Sequence, residues 1–163
     1  MVDVASTTIV RKTVFDPKDF YVFLWNVMCN KLSYSFNEDD YSHWKKDYGT
    51  DIEFHWTFKR NMDSYTQLKI WMECKMRGLN KVKVKEGDDT VSKQSGEIEL
   101  GMKAVILTDR EGKWSKHWLL KHFKNRYEKT IYKELFDGYF MRLWEHLFYV
   151  ESEVKSYFNI PKF

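Results

Sequence analysis

Residues 49–77 read GTDIEFHWTFKRNMDSYTQLKIWMECKMR, and the alternation of side chains in them points to a pair of strands. Ile52, Phe54, Trp56 and Phe58 alternate with Glu53, His55, Thr57 and Lys59, the period of two expected of a strand with one dry face and one wet face. Asn61, Asp63 and Ser64 are turn formers, because short polar side chains bond to neighbouring backbone amides. Alternation then resumes, with Leu68, Ile70, Met72, Cys74 and Met76 against Gln67, Lys69, Trp71, Glu73, Lys75 and Arg77. The two runs predict a long hairpin whose apolar sets share one buried face, since a register slip of one residue would expose both sets.

Working outward, residues 7–15 are rich in β-branched side chains and read as a strand. It ends at Asp16-Pro17, where an N-capping carboxylate followed by a proline that needs no amide partner predicts a helix start. Phe20, Phe23, Leu24, Val27 and Met28 follow at steps of three and four, an apolar stripe running to about Leu32. Residues 33–50 are polar and irregular, and predict a loop with a short helix over 39–47. Beyond the hairpin, residues 78–80 break the pattern, Val82 and Val84 alternate with Lys81, Lys83 and Lys85, and residues 86–89 supply a turn. A long strand over 91–108 follows, with Ile98, Leu100, Met102, Ala104 and Ile106 inward and a bulge expected at Gly96 or Gly101. Residues 115–158 contain no proline and carry the stripe Phe136, Phe140, Leu143, Leu147, Val150, Val154 and Phe158. One helix of that length would run about 65 Å, longer than a domain of this size, so a break is expected, at Asp137-Gly138.

The chain has 163 residues, of which 43% are hydrophobic and only 7 are Gly and 2 Pro, enough for one core and one domain over 1–163. Those counts exclude collagen-like and linker-like polymers, and 27 cations against 24 carboxylates exclude a charged disordered tail. A net charge of +3 permits anionic partners without requiring them. Cys29 and Cys74 lack the spacing of a redox or zinc motif and are expected to remain reduced. With neither a secretory leader nor a membrane-spanning run visible, the sequence reads as cytoplasmic.

A strand, helical material, a run of antiparallel strands and a long last helix make an α+β chain: a curved antiparallel sheet packed against a long C-terminal helix. That order of elements resembles the helix-grip superfamily of START and Bet v1-like domains, over nearly the whole chain and at the level of topology. Five strands stand where the superfamily has seven, and the glycine-rich loop of its plant members is absent. The resemblance implies binding of a hydrophobic, lipid- or polyketide-like molecule in a cavity between sheet and C-terminal helix. Trp56, Met72, Met102, Phe140, Leu143, Trp144 and Leu147 are the candidate lining residues. Met62, Met76 and Met141 are further thioethers able to repack around a ligand, and all of these residue types also fill ordinary cores.

No catalytic residue is assigned, no cofactor is called for, and an enzymatic role is left undecided, with binding the preferred reading. The five histidines are poorly spaced for metal: His117 and His122 are five apart, and no HxxxH or HExxH pattern occurs. The carboxylates of Glu38, Asp39, Asp40, Asp88 and Asp89 read as turn chemistry. The alternative function is an interaction module for nucleic acid or a protein. Lys69, Lys75, Arg77, Lys81, Lys83 and Lys85 are expected on one outward face around Trp71, with Lys81, Lys83 and Lys85 contacting phosphates. A second basic set, Lys113, Lys116, Lys121, Lys124, Arg126 and Lys129, reads as a solvated helix face.

Overall fold

The chain opens with strand β1 (Val2–Phe15), helix α1 (Pro17–Trp25) and a π-helical turn (Asn26–Lys31). Strands β2 (Ser35–Lys46), β3 (Gly49–Asn61), β4 (Thr66–Glu86) and β5 (Asp89–Thr108) follow, then helices α2 (Lys113–Lys116), α3 (Trp118–Thr130) and α4 (Lys133–Tyr157), in a computed structural model that describes residues 1–159. The strands form one curved, unclosed antiparallel sheet in the order β1-β5-β4-β3-β2. Strands β2 to β5 are a meander, and β1 closes against the last of them. With a helix between the first two strands and a long C-terminal helix, the topology is compatible with a helix grip.

The predicted hairpin forms with its two apolar sets on one face: Trp56 lies opposite Met72, Phe54 opposite Cys74 and Phe58 opposite Ile70. All six are buried. In the turn, the Asp63 carboxylate accepts from the Tyr65 and Thr66 amides at 2.7 and 2.6 Å. At the start of α1 the Asp16 side chain accepts from the Lys18 amide, the expected cap. Phe20 and Leu24 of α1, Val27 and Met28 of the π turn, and Leu143, Leu147, Val150 and Val154 of α4 meet the inner face of the sheet in one apolar core. Helix α4 lies across β1, β5 and β4, and α1 covers the β3 side through Tyr21, whose ring stands edge-on to Phe54 and Trp56. Both cysteines are free; burial raises the Cys74 thiol well above its ordinary pKa.

Four expectations are corrected. Strand β1 begins at Val2, five residues before the predicted start. Residues 33–50 hold no helix; they supply β2, an edge strand paired with β3 from Ser35 to Lys46. Its side chains are exposed along nearly the whole strand, so it never needed the apolar alternation by which the other strands announce themselves. Charges at Glu38, Asp39, Asp40, Lys45 and Lys46, with a bulge between Glu38 and Asp40, also discourage pairing with another chain. The helical break falls at Ile131–Tyr132, not at Gly138, which is exposed inside α4 at a cost of about 1 kcal/mol. Tyr132 forces the corner: it is buried, its hydroxyl bonds to the Thr66 hydroxyl, and its ring packs on Tyr65 and Tyr127.

The fourth correction concerns the bulge, which lies in β4 between Arg77 and Asn80 and not in β5. Gly96 sits opposite, where an added Cβ would meet the Arg77 carbonyl oxygen and a Leu79 methyl at 2.8 Å. Gly78 takes a φ of +63°, which suits glycine. The bulge inverts which residues face inward. Before it Met76 is inward; after it Leu79 is, and Lys81 pairs with Gln94, a residue that shares the inner face of β5 with Ile98. Lys81, Lys83 and Lys85 therefore stand on the concave side of the hairpin, across the sheet from Lys69, Lys75 and Arg77. The single basic face expected from the sequence is split.

Asp51 clamps this bulge. Its carboxylate accepts from the Gly78 amide at 2.9 Å and the Tyr48 hydroxyl at 2.8 Å, and pairs with Lys46 at 2.9 Å. The Gly78 bond, followed by the Lys46 and Tyr48 contacts, holds its pKa down to about 2 from an ordinary 3.8. A carboxyl with a depressed folded-state pKa stabilises the fold above its unfolded pKa and ceases to as the pH falls. Stability should accordingly drop between about pH 4 and pH 2. Asp51→Ala should remove that part of the acid response and cost about 2–3 kcal/mol at neutral pH, read from urea unfolding at a series of pH values. An unchanged acid limb in the variant would refute the clamp.

Candidate ligand site

Six of the seven residues expected to line a cavity come together in the interior. Trp56, Met72 and Met102 point inward from β3, β4 and β5, Leu143 and Leu147 point down from α4, and all five are buried. Phe140 packs half-buried against them. Trp144 does not join them: it is 42% exposed on the outer side of α4, its ring tilted 48° against that of Phe148 with centroids 4.5 Å apart. Met141 is likewise exposed.

An open apolar cleft lies elsewhere, between α1 and the strand ends of the concave face, with a volume of about 650 Å³. Its floor is Ile52, Phe54 and Met76, inward residues of β3 and β4. One wall is α1, through Pro17, Tyr21 and Val22; Tyr41 of β2 forms the other, its ring parallel to that of Phe54 at 6.5 Å. Asp16, Lys18, Glu38 and Gln94 place polar groups around the apolar surface. The local sequence accounts for this gap. Asp16-Pro17 starts α1 at the very end of β1, so the helix crosses the sheet with only its Phe20 and Leu24 side seated in the core, leaving Tyr21 and Val22 along the adjacent edge.

Glu38 is the polar pivot of the site. Its Oε2 accepts from the Tyr21 hydroxyl and from the Trp56 indole, the latter at 2.9 Å. Burial, then the Glu38 carboxylate, raises the Tyr21 pKa well above its ordinary value, so that hydroxyl stays protonated and donating. The cleft thus has a fixed hydrogen-bonded end and a broad apolar floor, an arrangement that orients a mostly apolar ligand by one polar group. Tyr21, Glu38 and Tyr41 were not singled out as ligand-binding from the sequence. Tyr21 lies beside the apolar stripe of its helix, and the other two belong to the unrecognised edge strand. The one available signal was an aromatic residue at every few positions of a segment too polar to need them for a core.

On the convex face, three side chains of types able to ligate a metal meet: Glu53, His55 and Glu73 hold nitrogen or carboxylate oxygen atoms within 4.8 Å of one another. Their spacing follows from the sheet, because Glu53 and His55 are two apart on β3 and Glu73 is directly opposite His55. The His55 Nε2 lies 3.1 Å from the Glu73 Oε1, and the Lys75 ammonium is 2.9 Å from that same oxygen. A lysine therefore already supplies positive charge there. Beside them Gly101 leaves a shallow depression of about 520 Å³ bordered by Trp71 and Lys103. Trp71, the aromatic of the expected nucleic-acid surface, carries the Lys69 ammonium 5.2 Å from its ring centre. Glu53, Glu73, Glu97 and Glu99 share this face with the cations, and Arg77 pairs with Glu99.

Compared with known proteins, the chain matches no family, no curated protein and no solved structure. What the site does must be argued from its own geometry.

Proposed function

We propose that the protein binds a hydrophobic small molecule, lipid- or polyketide-like, in the cleft between α1 and the concave face of the sheet. The cleft itself carries this reading: about 650 Å³ with an apolar floor and a hydrogen-bonded Tyr21–Glu38–Trp56 cluster at one side. The helix-grip-like order of elements supports the same class of ligand, held on the α1 side and not beneath α4, where the sequence alone would put it. The split of the lysines and the carboxylates interleaved on the convex face leave the nucleic-acid alternative without a continuous basic surface.

The test uses a neutral environment-sensitive probe, N-phenyl-1-naphthylamine, together with native mass spectrometry of the freshly purified protein. The parent should enhance the probe's emission and gain melting temperature from it, since a ligand that binds only the folded state stabilises that state. Val22→Trp places a large ring at the exposed rim of the cleft. It should reduce probe affinity about tenfold or more while leaving the melting temperature of the free protein within a few degrees. A parent that neither binds the probe nor carries a co-purifying apolar molecule would overturn the proposal.

A further inference from the structure

Helix α3 is the part of the fold whose chemistry the cleft does not use. It buries none of its residues completely. Residues 113–133 contain seven cations (Lys113, Lys116, Lys121, Lys124, Arg126, Lys129 and Lys133) against the single carboxylate of Glu128, a net +6 in a chain whose total is +3. The remainder of the protein is therefore net negative. Lys113 and Lys124 have acidic neighbours in Glu111 and Asp109. Among the described residues, Lys116, Lys121, Arg126, Lys129 and Lys133 pair with no carboxylate.

Apolar side chains stand among these charges. Trp118 is 73% exposed and Ile131 72%, and Leu119, Phe123 and Leu135 are also exposed. Leu119, Leu120, Phe123, Tyr127 and Ile131 give this stretch the apolar spacing of an amphipathic helix, but it is Leu120, Lys124, Tyr127 and Glu128 of α3 that turn toward the rest of the protein, while Leu119, Phe123 and Ile131 stay exposed. That inner side is firmly held. The Tyr65 hydroxyl donates to Glu128, Trp114 stacks on Tyr127 at 4.8 Å, and Asp109 accepts from the amides of Trp114 and Ser115. The outer side is thus a fixed, convex surface of indole, phenyl and aliphatic groups interspersed with unpaired cations.

We infer that α3 and the α3–α4 corner dock on the surface of an anionic lipid bilayer. An interfacial helix needs apolar groups to enter the headgroup region and long cations that reach the lipid phosphates beside them. Charge complementarity selects an anionic surface, as each lysine or arginine near it adds to the attraction. Leu119, Ile131 and Leu135 favour lipid over nucleic acid, because bases stack on aromatic rings and gain little from exposed aliphatic chains. No described helix is long and apolar enough to cross a membrane, so the contact is with the surface. The place of α3 in the fold gives the docked protein an orientation. It sits at the end of the sheet marked by Thr66 and Thr108, whereas the cleft opens at Met76 and Gln94. Ten residues of β4 separate Met76 from Thr66, about 33 Å of strand. The cleft mouth would then face the water, away from the bilayer, and α3 would act as a tether.

Co-sedimentation of the full chain with vesicles of pure phosphatidylcholine and of equimolar phosphatidylcholine and phosphatidylserine tests this. Binding should be roughly tenfold or more stronger to the anionic vesicles, and added salt should weaken it. Lys121→Glu with Lys129→Glu should abolish it, and so should Trp118→Ser with Phe123→Ser. All four residues are exposed, and melting temperatures near the parent's would show that the variants fold. Ile131→Asp, at the C-cap of α3, should weaken binding while leaving the charged side chains of α3 in place. Val22→Trp should leave vesicle binding unchanged, so failure of the tether and failure of the cleft reading are separate results. No binding to anionic vesicles at low salt would overturn the inference. So would charge reversal acting alone while the serine pair binds normally, and so would tighter binding to single-stranded RNA than to vesicles, which would make the surface a nucleic-acid site.

Discussion

Trp56→Ala should lower the unfolding free energy by about 3–5 kcal/mol, to be read as a shift of the urea midpoint at constant slope. Trp56 has no exposed surface, and four rings surround it: Tyr21 at 4.6 Å, Phe54 at 4.7 Å, Phe36 at 4.9 Å and Phe58 at 5.7 Å between centroids. Removing the indole leaves a large void among side chains from three separate elements. It also strips Glu38 of one of its two donors. A domain of ordinary stability has only about 5–15 kcal/mol in total, so the variant should sit near the edge of folding. Trp56→Phe separates the two contributions. It keeps most of the packing and loses the indole N–H, for an expected cost of about 1–2 kcal/mol, with the cleft still able to bind the probe. A shift below about 1 kcal/mol for the alanine variant would mean that the rings do not pack as described.

The sequence shows most clearly those parts of the fold where one face is dry and the other wet. In β3 and β4 the alternation runs without interruption from Ile52 to Met76 across the turn at Asp63, and strand type, pairing and register all follow from it. The same reasoning works for α1 and for the Leu143–Leu147–Val150–Val154 stripe. It fails in β2, because an edge strand whose side chains nearly all keep solvent contact, including the Phe36 and Tyr41 rings that touch β3, shows little apolar alternation; its hydrogen bonds to β3 are the tertiary fact that makes it a strand. Counting positions also fails past Arg77, where two bulged residues reverse the inward and outward sides and carry Lys81, Lys83 and Lys85 to the face opposite the one expected.

The candidate site was less legible than the fold, for the same reason. Its floor, Ile52, Phe54 and Met76, reads as inward-facing from the alternation alone, but an inward residue is core or cleft according to what covers it. Coverage depends on where α1 starts and on a β2 that could not be seen. Helix α3 shows the converse. Leu119, Leu120, Phe123, Tyr127 and Ile131 have the spacing of one apolar stripe, and only the placement of α3 against Tyr65 and Trp114 reveals that Leu120 and Tyr127 are covered and the other three left outside.

Leu143 distinguishes a ligand in the α1 cleft from one beneath α4. Its side chain is fully buried within the same cluster as Met102, Leu147 and Val150. Leu143→Ala should cost about 2–5 kcal/mol, the lost transfer energy of the removed atoms plus that of the void they leave. Leu143→Trp should cost about 1–3 kcal/mol, because a close-packed interior takes an indole only by forcing neighbouring side chains off their rotamers. Neither substitution reaches Ile52, Phe54 or Tyr41, so probe affinity should match the parent's wherever the variants remain folded. The opposite pattern would be equally informative. If Leu143→Trp keeps full stability and loses the probe, the space beneath α4 is the occupied one, the ligand lies against Leu143 and Leu147, and the α1 cleft is only a surface feature. Measuring urea midpoints and probe titrations on the same two variants decides between them, because stability reports whether the space under α4 is full and affinity reports whether the ligand needs it.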